Sequence, residues 1–402
     1  MSEESGKPAE QTTAAGGRPL AGVRVVELAG IGPGPLCGML LADLGAEVIR
    51  VDRPGGNSPA LPASGADITG RGKRSVVVDL KDPRGRDIVL RLAGQADALI
   101  EGYRPGVAER LGIGPEAVWE RNPRLVYGRM TGWGQDGPLS SAAGHDIGYI
   151  AITGALHAIG AAGGPPQIPV NYIGDYGGGS MFLALGIVSA LLSARSTGRG
   201  QVVDAAIVDG ASALQAATFG MMASGIWRDQ RGVNFLDGGA PYYNVYETAD
   251  GRHMAVGALE PKFYAAFTEL LFAPGGIPGD LPGQHEMARW PELKARITER
   301  FATRTQAEWA KVFDGSDACV APVLPMTEAA EHPHLAARGT YLTEDGVIQP
   351  APAPRFAADG SAPRAARPGP IPALGQHTRE ILLDAGIDDV EGLLADGVVR
   401  DR

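Results

Sequence analysis

Residues 23–52 read VRVVELAGIGPGPLCGMLLADLGAEVIRVD, and this stretch decides the fold. Val23–Leu28 and Glu47–Asp52 are rich in branched apolar residues and predict buried strands, while Leu36–Leu44 between them predicts a helix. A strand, a helix and a second strand joined in this way make a βαβ unit with parallel strands. The stretch therefore predicts an α/β fold in which ligands bind at the carboxyl ends of the strands.

The same alternation continues toward the C-terminus. A helix is predicted at Pro83–Gln95, because Asp82 suits the N-cap and Pro83 the first helical position. The apolar segment Phe182–Ala194 predicts a buried helix. The other predicted elements of this half are strands at Ser75–Leu80, Ala98–Glu101 and Leu125–Met130, and helical structure at Gln201–Val208 and Ala211–Gly225.

A smaller α+β unit is predicted after the segment DGGAP at 237–241. It begins with a β-hairpin whose turn contains Asp250-Gly251, and helices follow the hairpin. The predicted elements are strands at Tyr242–Glu247 and His253–Val256 and helices at Lys262–Phe272, Trp290–Ala302, Gln306–Phe313 and His377–Ala385. The predicted domains are a disordered tail at 1–19, a large domain at 20–225, a small α+β domain at 226–345, and a linker with a C-terminal helix returning to the large domain at 346–402.

Composition excludes several classes of function. The formal net charge of -10 over 402 residues argues against a nucleic acid partner, which requires a basic face. The two cysteines, Cys37 and Cys319, give no disulfide framework. No run of about 18 uninterrupted apolar residues predicts a membrane helix, and 1–19 has no apolar core of a secretory signal. We expect a cytoplasmic protein with neither nucleic acid nor membrane as a partner.

The turn after the first strand resembles a dinucleotide-binding motif. Its sequence GIGPGP at 30–35 precedes a helix, and Asp52 ends the next strand, where an acid binds ribose in such proteins. The third glycine is missing, however, and Pro33 and Pro35 lack the backbone N–H groups that bind a pyrophosphate. The pattern argues against NAD and fits a tight turn that could still line a ligand site.

Basic residues gather near the predicted strands although the chain is acidic overall. The residues are Arg53, Arg71, Lys73 and Arg104, with Tyr103 beside the last. Arginine binds phosphate through two parallel hydrogen bonds, and a tyrosine ring can stack on a purine. The group fits coenzyme A better than NAD, while the structural alternative for each single residue is a solvated surface charge.

Two side chains that can carry protons near neutral pH lie among small residues. His145 is part of GHDI at 144–147, and Asp175 is part of NYIGDYGGG at 171–179. Two such groups on opposite faces of one carbon allow a proton to leave one face and return on the other. The structural alternatives are a hydrogen-bonded histidine and a turn aspartate.

The chain resembles the family III coenzyme A transferase (CaiB/BaiF) superfamily, and within it the racemase branch. The resemblance runs from about residue 20 to the end, in motifs such as IEGYRPGVAERLGIGP at 100–115, AGHDIGYIAITGALHAIG at 143–160 and DGGAPYYNVYE at 237–247. It implies an interlocked homodimer whose Rossmann-like large domain is built from both ends of the chain. It also implies that Ile31, Arg53, Arg104 and Arg110 lie near coenzyme A.

The resemblance further implies an activity and roles for four residues, and a fifth role follows from the predicted start of a helix. The activity is epimerisation at C2 of 2-methylacyl-CoA thioesters in lipid metabolism, with His145 and Asp175 as acid/bases and coenzyme A as part of the substrate, so that no separate cofactor is expected. Asn171 is expected to hydrogen-bond Asp175, and Glu260 to pair with His145. Asp146 is predicted to begin a helix, so that its backbone N–H stabilises the enolate.

Two other functions remain open at this point. In a coenzyme A transferase, Asp175 would act as a nucleophile and would need no opposing histidine. The glycines of the 237–241 segment are compatible with the glycine-rich lid of such enzymes, whereas His145 and Glu260 argue against them. In a non-catalytic acyl-CoA-binding protein, neither acid/base would have a purpose. The sequence does not identify the acyl chain.

Overall fold

The structure is a computed structural model that describes residues 18–56, 67–344, 346–357 and 362–402. Residues 1–17, which make up most of the predicted tail at 1–19, lie outside the described residues. The strands in the described ranges are β1 (Arg24–Leu28), β2 (Glu47–Asp52), β3 (Lys73–Val78), β4 (Ala98–Glu101), β5 (Val126–Thr131), β6 (Val202–Ala206), β7 (Tyr243–Glu247), β8 (His253–Gly257), β9 (Val320–Pro322), β10 (Tyr341–Glu344), β11 (Val347–Pro350) and β12 (Val399–Arg400).

The helices of the same ranges include one long π-helical segment, Tyr172–Ser180, and 3₁₀ turns at Ile68–Gly70 and Met287–Arg289. The α-helices are α1 (Pro33–Asp43), α2 (Pro83–Gly94), α3 (Val107–Arg110), α4 (Pro115–Arg121), α5 (Asp146–Ile152), α6 (Met181–Thr197), α7 (Ile207–Ala213), α8 (Ala216–Ala223), α9 (Pro261–Phe272), α10 (Trp290–Phe301), α11 (Gln306–Phe313), α12 (Met326–Ala329), α13 (Pro333–Arg338), α14 (Thr378–Asp384) and α15 (Val390–Ala395).

Seven strands form the main sheet in the order β12-β3-β2-β1-β4-β5-β6. All neighbours are parallel except β12, which runs antiparallel to β3. The strand order reverses at β1, which pairs with β2 on one side and with β4 on the other. In such sheets a ligand crevice forms at the carboxyl ends of the two strands that flank the reversal. The predicted α/β class with a mostly parallel sheet is confirmed.

The prediction of helical structure at Gln201–Val208 is wrong. Val202–Ala206 forms the edge strand β6, in parallel register with Tyr127–Thr131. Its first residues, Val202 and Val203, are β-branched and favour a strand. The pattern is too short for periodicity to separate a strand from a helix, and pairing with β5 decides between them.

Apolar side chains of the strands build the core of this sheet. Val26, Ile49, Val76, Leu99 and Tyr127 are each at most 3% exposed and belong to one buried cluster. Burying a valine, leucine or isoleucine side chain stabilises the folded state by about 1.5–3 kcal/mol. Residues from the C-terminal part of the chain join the same cluster, among them Ile381 and Leu382 of α14 and Val399 of β12.

A second core is aromatic and includes the three-stranded sheet β7-β8-β9. Phe267, Phe301, Trp309 and Phe313 pack together with ring centroids 5.2 to 6.3 Å apart. Helix α11 starts at a capping box, in which Thr305 and Glu308 satisfy each other's backbone N–H groups. The predicted hairpin and the three predicted helices at 262–313 are all present.

Contacts divide the chain into two compact units. The first unit contains the described residues up to Ala142, Gly179–Ala206 and Ala336–Arg402, and the second contains Ala143–Gly178 and Ile207–Leu335. This division differs from the predicted domains, because 143–178 and 207–225 were assigned to the large domain and cluster with the second unit. The assignment followed the order of elements along the chain, which does not show where a segment packs.

One helical stretch of the described residues, Tyr172–Thr197, is long and apolar enough to span a membrane by length and composition alone. It joins the π-helical segment to α6, has 26 residues and a mean hydropathy of 1.7, and 44% of its most apolar window is buried. Core helices of globular proteins have the same properties. Ser180, Ser189 and Ser193 interrupt its apolar run, which is why the sequence contains no uninterrupted apolar segment of that length.

Candidate active site

Five of the seven residues predicted to contact coenzyme A follow the carboxyl ends of strands in the first unit. Ile31 follows β1 and is 56% exposed, and Arg53 directly follows β2. Tyr103 and Arg104 follow β4, and Arg110 ends the short helix α3 behind them. The guanidinium carbon of Arg53 lies 5.9 Å from the centroid of the Tyr103 ring. The three strands are neighbours in the sheet, so these residues lie along one edge, on both sides of the reversal.

The other two, Arg71 and Lys73, are buried in ion pairs, which corrects their predicted role. Nη2 of Arg71 lies 2.6 Å from Oδ2 of Asp43, and Nη1 donates to the side chain of Gln349 at 2.8 Å. Nζ of Lys73 lies 2.6 Å from Oε2 of Glu27. Arg71 and Lys73 are 2% and 3% exposed. Lys73 is the first residue of β3, so it lies at the amino edge of the sheet, opposite the edge that carries Arg53.

A carboxylate that the sequence analysis did not single out lies at the same carboxyl edge. Glu101 ends β4, is 3% exposed, and accepts a hydrogen bond from the backbone N–H of Tyr103 at 2.6 Å. Burial raises its pKa to about 7, although the Tyr103 N–H and Arg129 oppose the shift. The sequence did contain a sign of this buried carboxylate: Glu101 is the one charged residue of the strand Ala98–Glu101. It also lies close to Tyr103 and Arg104, two of the residues predicted to contact coenzyme A.

His145 and Asp146 stand at the start of α5 in the second unit. His145 is the N-cap residue and is exposed, while Asp146 is the first residue of the helix and is 8% exposed. Helix α5 begins at Asp146 as predicted. The first N–H groups of any helix have no partner inside it, so the N–H of Asp146 points to no acceptor within α5. The side chain of Asp146 was not expected to have a role, and it does: Oδ2 accepts a hydrogen bond from the backbone N–H of Asp175 at 2.7 Å.

Asp175 lies in the π-helical segment Tyr172–Ser180, also in the second unit. The backbone N–H of Tyr176 donates to the carbonyl of Asn171, five residues back, at 3.3 Å. Nδ2 of Asn171 donates to Oδ2 of Asp175 at 3.3 Å, which is the contact that the resemblance implied. Single π-helical turns inside helices are frequent at functional sites. Asn171 and Asp175 are four residues apart, a spacing at which side chains of a helical segment are neighbours.

The surroundings of Asp175 favour its protonated form. Burial raises the pKa of this carboxyl group, and the charge of Asp146 acts in the same direction. The hydrogen bond from Asn171 and the charge of His145 lower the pKa, but the net direction is upward. An aspartate with a raised pKa is better suited to hold and release a proton near neutral pH. The electrostatic effect of His145 also means that the two predicted proton carriers are close enough to interact.

Glu260 stands at the start of α9 in the second unit. It is the exposed N-cap residue of α9, and its carbonyl accepts from the N–H of Tyr264 at 2.9 Å. Its side chain does not cap the helix. Within the described residues, no hydrogen bond or ion pair joins Glu260 to His145, so the pairing that the resemblance implied is not made inside one chain.

The second unit also contains a cavity of about 1140 Å³. Trp227, Leu236 and Val245 give it an apolar wall, and Asn244 and Lys294 add polar groups. None of His145, Asp175 and Glu260 lines it. In the described part of the chain there is no group of three or more histidine, cysteine, aspartate or glutamate residues that could hold a metal ion.

The second unit therefore offers two proton carriers, His145 and Asp175, with Asn171 as a neutral donor to Asp175. The buried carboxylate of Asp146 accepts the backbone N–H of Asp175. Such a set can remove and return a proton at a carbon acidified by a neighbouring carbonyl group. The basic and aromatic residues at the carboxyl edge of the first unit can bind an anion that carries a flat ring.

Several known proteins are similar to this chain in sequence or in structure. Mouse alpha-methylacyl-CoA racemase is 45% identical over 373 residues, which cover 92% of this chain and 94% of that protein. Human alpha-methylacyl-CoA racemase is 45% identical over 387 residues, which cover 95% and 97%. The crystal structure of a CAIB/BAIF family protein from Brucella suis superposes with a TM-score of 0.77 at 26% identity, covering 92% of this chain and 100% of that one. The family model described as CoA-transferase family III matches residues 20–378, and the chain belongs to that family.

Proposed function

We propose that this enzyme epimerises C2 of 2-methylacyl-CoA thioesters by a 1,1-proton transfer through an enolate. The observation that carries the proposal is the 45% identity, over more than nine-tenths of the chain, to two relatives named alpha-methylacyl-CoA racemase. Branched acyl-CoA thioesters are intermediates of lipid metabolism, and the proposal places the reaction there. The thioester brings coenzyme A to the site as part of the substrate, so the proposal needs no separate cofactor.

The proposed chemistry uses His145 and Asp175 on opposite faces of C2. One of them takes the proton from C2, and the electron pair of the broken C–H bond moves into the thioester carbonyl to form the enolate. The other group then delivers its own proton to the opposite face. The raised pKa of Asp175 makes its carboxyl group easier to protonate than an ordinary aspartate, which suits a group that delivers a proton to C2. For the other epimer, the protonation states of the two groups are exchanged.

The enolate oxygen needs a hydrogen-bond donor while it carries negative charge. We propose the backbone N–H of Asp146 for this role, because it lies in the first turn of α5 and has no acceptor inside the helix. It belongs to the residue directly after His145, so the same segment would supply one proton carrier and the donor. The ionised side chain of Asp146 cannot take this role, because a carboxylate only accepts hydrogen bonds; its Oδ2 accepts from the N–H of Asp175.

Coenzyme A is proposed to bind at the carboxyl edge of the main sheet. Arg53, Arg104 and Arg110 supply positive charge, and Tyr103 supplies an aromatic surface beside Arg53. Ile31, exposed in the first βα turn, offers an apolar contact. The proposal excludes Arg71 and Lys73, whose charges are neutralised by Asp43 and Glu27.

We also propose the homodimer that the family resemblance implies. Helix α6 buries Leu183, Ile187, Ala190, Leu191 and Ala194, and on another side it exposes Met181, Leu185 and Leu192 by 54 to 65%. Apolar residues at this spacing form a stripe along the helix, and an exposed apolar stripe is typical of an interface. A dimer also accounts for the missing contact between Glu260 and His145 within one chain, because Glu260 of the partner subunit would then pair with His145.

The test is to incubate the dimer with a single epimer of a 2-methylacyl-CoA in D₂O without an acceptor acid. We expect deuterium at C2 together with the appearance of the other epimer. The competing function is a coenzyme A transferase with Asp175 as nucleophile. If neither deuterium nor the other epimer appears, while coenzyme A moves to an added carboxylic acid, the transferase replaces the racemase. His145→Ala separates the two further, because only the racemase needs this imidazole.

A further inference from the structure

A hydrogen bond to the side chain of Asp146 connects the segment of His145 to Asp175. Asp146 directly follows His145, and its Oδ2 accepts from the N–H of Asp175 at 2.7 Å. One path from His145 to Asp175 therefore consists of a peptide linkage, the Asp146 side chain and a hydrogen bond to its charged oxygen. Charge-assisted hydrogen bonds are shorter and stronger than neutral ones, so this link restricts how far His145 and Asp175 can move apart.

We propose that the side chain of Asp146 is a positioning residue that sets the separation of the two proton carriers. This inference rests on the proposed epimerisation, because only a reaction that uses both carriers on one carbon depends on their separation. When the separation is correct, the enolate formed by one carrier is within reach of the other. When the link is broken, the enolate persists beside the carrier that formed it, and the same carrier returns the proton.

The backbone around the link is shaped to admit the carboxylate. A Cβ atom placed on Gly174 would lie 2.3 Å from Oδ2 and 2.8 Å from Cγ of Asp146, closer than real Cβ atoms approach other atoms. Gly174 precedes Asp175, and no residue with a side chain could replace it while the carboxylate stays in place. Its φ angle is not in the left-handed region, so the glycine serves this close approach rather than an unusual backbone conformation.

The second oxygen of the Asp146 carboxylate, Oδ1, is buried without a hydrogen-bond partner among the described residues, which lowers the stability of the folded state. Buried polar atoms without partners are uncommon, and each one calls for an explanation. An asparagine or threonine could have accepted the Asp175 N–H without burying a full charge. The charge therefore has a further effect, which is to oppose ionisation of Asp175 against the opposing influences of Asn171 and His145.

The experiment compares Asp146→Ala and Asp146→Asn with the unaltered full-length enzyme, each incubated with one epimer of a 2-methylacyl-CoA in D₂O. Two products are separated on a chiral phase: the starting epimer with deuterium at C2, and the inverted epimer with deuterium at C2. We expect Asp146→Ala to lose inversion by roughly 10²-fold, the usual effect of misplacing a reacting group by about 1 Å. Exchange with retention should fall much less, so the ratio of retained to inverted product rises.

Asp146→Asn tests the two properties of the carboxylate separately. The amide oxygen can still accept the Asp175 N–H, so the ratio of retained to inverted product should stay near that of the unaltered enzyme. The negative charge is lost, so the limb of the pH profile of kcat that reports Asp175 should move to lower pH. A general loss of structure would change neither quantity in this selective way.

Gly174→Ala provides a variant that leaves Asp146 itself in place. The added methyl group displaces Oδ2, and we expect the same rise in retention as in Asp146→Ala. Gly148→Ala is the matched control, since a Cβ on Gly148 in α5 meets no atom within 4 Å. This control should keep the ratio of the unaltered enzyme. If Asp146→Ala does not fold, Gly174→Ala decides the question in its place.

The outcomes distinguish this inference from the proposed function. A folded Asp146→Ala or Gly174→Ala enzyme that inverts and exchanges in the unaltered ratio overturns the positioning role and leaves the racemase intact. An unaltered enzyme that neither exchanges nor inverts overturns the proposed function itself. Selective loss of inversion in both variants, with rescue by Asp146→Asn, establishes the positioning role.

Discussion

Glu101 shows how burial changes the chemistry of a single residue. Its carboxyl group ends β4, where the backbone N–H of Tyr103 donates to it at 2.6 Å, and Arg129 is its nearest cation, at 3.7 Å. One hydrogen bond and one distant charge do not offset the loss of water, and burial raises the pKa from 4.5 to about 7. The folded protein therefore binds the Glu101 proton more tightly than the unfolded chain does.

This shift predicts how stability depends on pH. Because the pKa is higher in the folded state, the folded state loses stability relative to the unfolded chain as pH rises from about 4.5 to about 7, by roughly 3 kcal/mol in all. Glu101→Gln removes this loss and can still accept the Tyr103 N–H. We expect the free energy of unfolding of the variant, relative to the unaltered protein, to increase between pH 5 and pH 8, as measured by denaturant titration.

Glu109→Gln is the control for this prediction, since Glu109 pairs with the same Arg129. Its pKa is lowered: the hydrogen bonds and the charge of Arg129 outweigh partial burial. The stability that it contributes is present at all pH values above 4.5 and is lost only in more acidic solution. Its difference from the unaltered protein should change much less between pH 5 and pH 8 than that of Glu101→Gln, because the charge of Glu109 is only a minor cause of the Glu101 shift. A difference for Glu101→Gln that changes no more than that of Glu109→Gln would contradict the assigned pKa.

The sequence predicted individual site residues well where the chemistry of the side chain and the residues around it pointed to the same role. His145, Asp175 and Asn171 were predicted as one group, and the structure places them in one unit with Asn171 hydrogen-bonded to Asp175. Their catalytic roles stay predictions. Lys73 was misjudged, because its partner Glu27 lies 46 residues away and the strand register that joins them is not visible in sequence.

At the scale of elements, α6 is apolar on two sides. Its buried side packs in the first unit, and its exposed side presents Met181, Leu185 and Leu192. We predict that Leu185→Glu weakens the homodimer, because it places a charge in the middle of the apolar stripe. The measurement is molar mass in solution by light scattering or sedimentation, over a range of protein concentrations.

Leu383→Glu is the matched control for this substitution. Leu383 is 59% exposed on α14, but its neighbours Arg379, Glu380 and Asp384 are charged, so it is not part of an apolar stripe. We expect this variant to keep the mass of the unaltered protein. A dimer that withstands Leu185→Glu as well as Leu383→Glu would mean that α6 lies outside the interface.

Elements were predicted best where the chain carries its own signals. The helix at Pro83 begins as expected, since Asp82 accepts from the N–H of Arg84 and Pro83 occupies the first position. The edge strand β6 was missed because its two valines and two alanines fit several conformations, and β12 because its two residues owe their structure to β3. Both errors concern short segments whose conformation depends on pairing with distant residues.

At the scale of the whole molecule, the position of Glu260 bears on how a dimer builds its sites. His145 and Glu260 are expected to act together, but within the described residues of one chain no contact joins them. If the partner subunit's Glu260 completes each site, no isolated chain is competent. We therefore predict that His145→Ala and Glu260→Ala chains complement each other when they are expressed together.

The measurement uses heterodimers that carry different affinity tags on the two chains and are purified through both tags. With Glu260 acting across the dimer, one site of the heterodimer combines both substitutions and the other has neither, so about half of the normal activity returns. The inverse control pairs an unaltered chain with a chain that carries both substitutions. There each site has one defect and activity should be lost. An active control together with an inactive mixed heterodimer would show instead that each chain supplies its own Glu260, because only then does the unaltered chain keep a complete site.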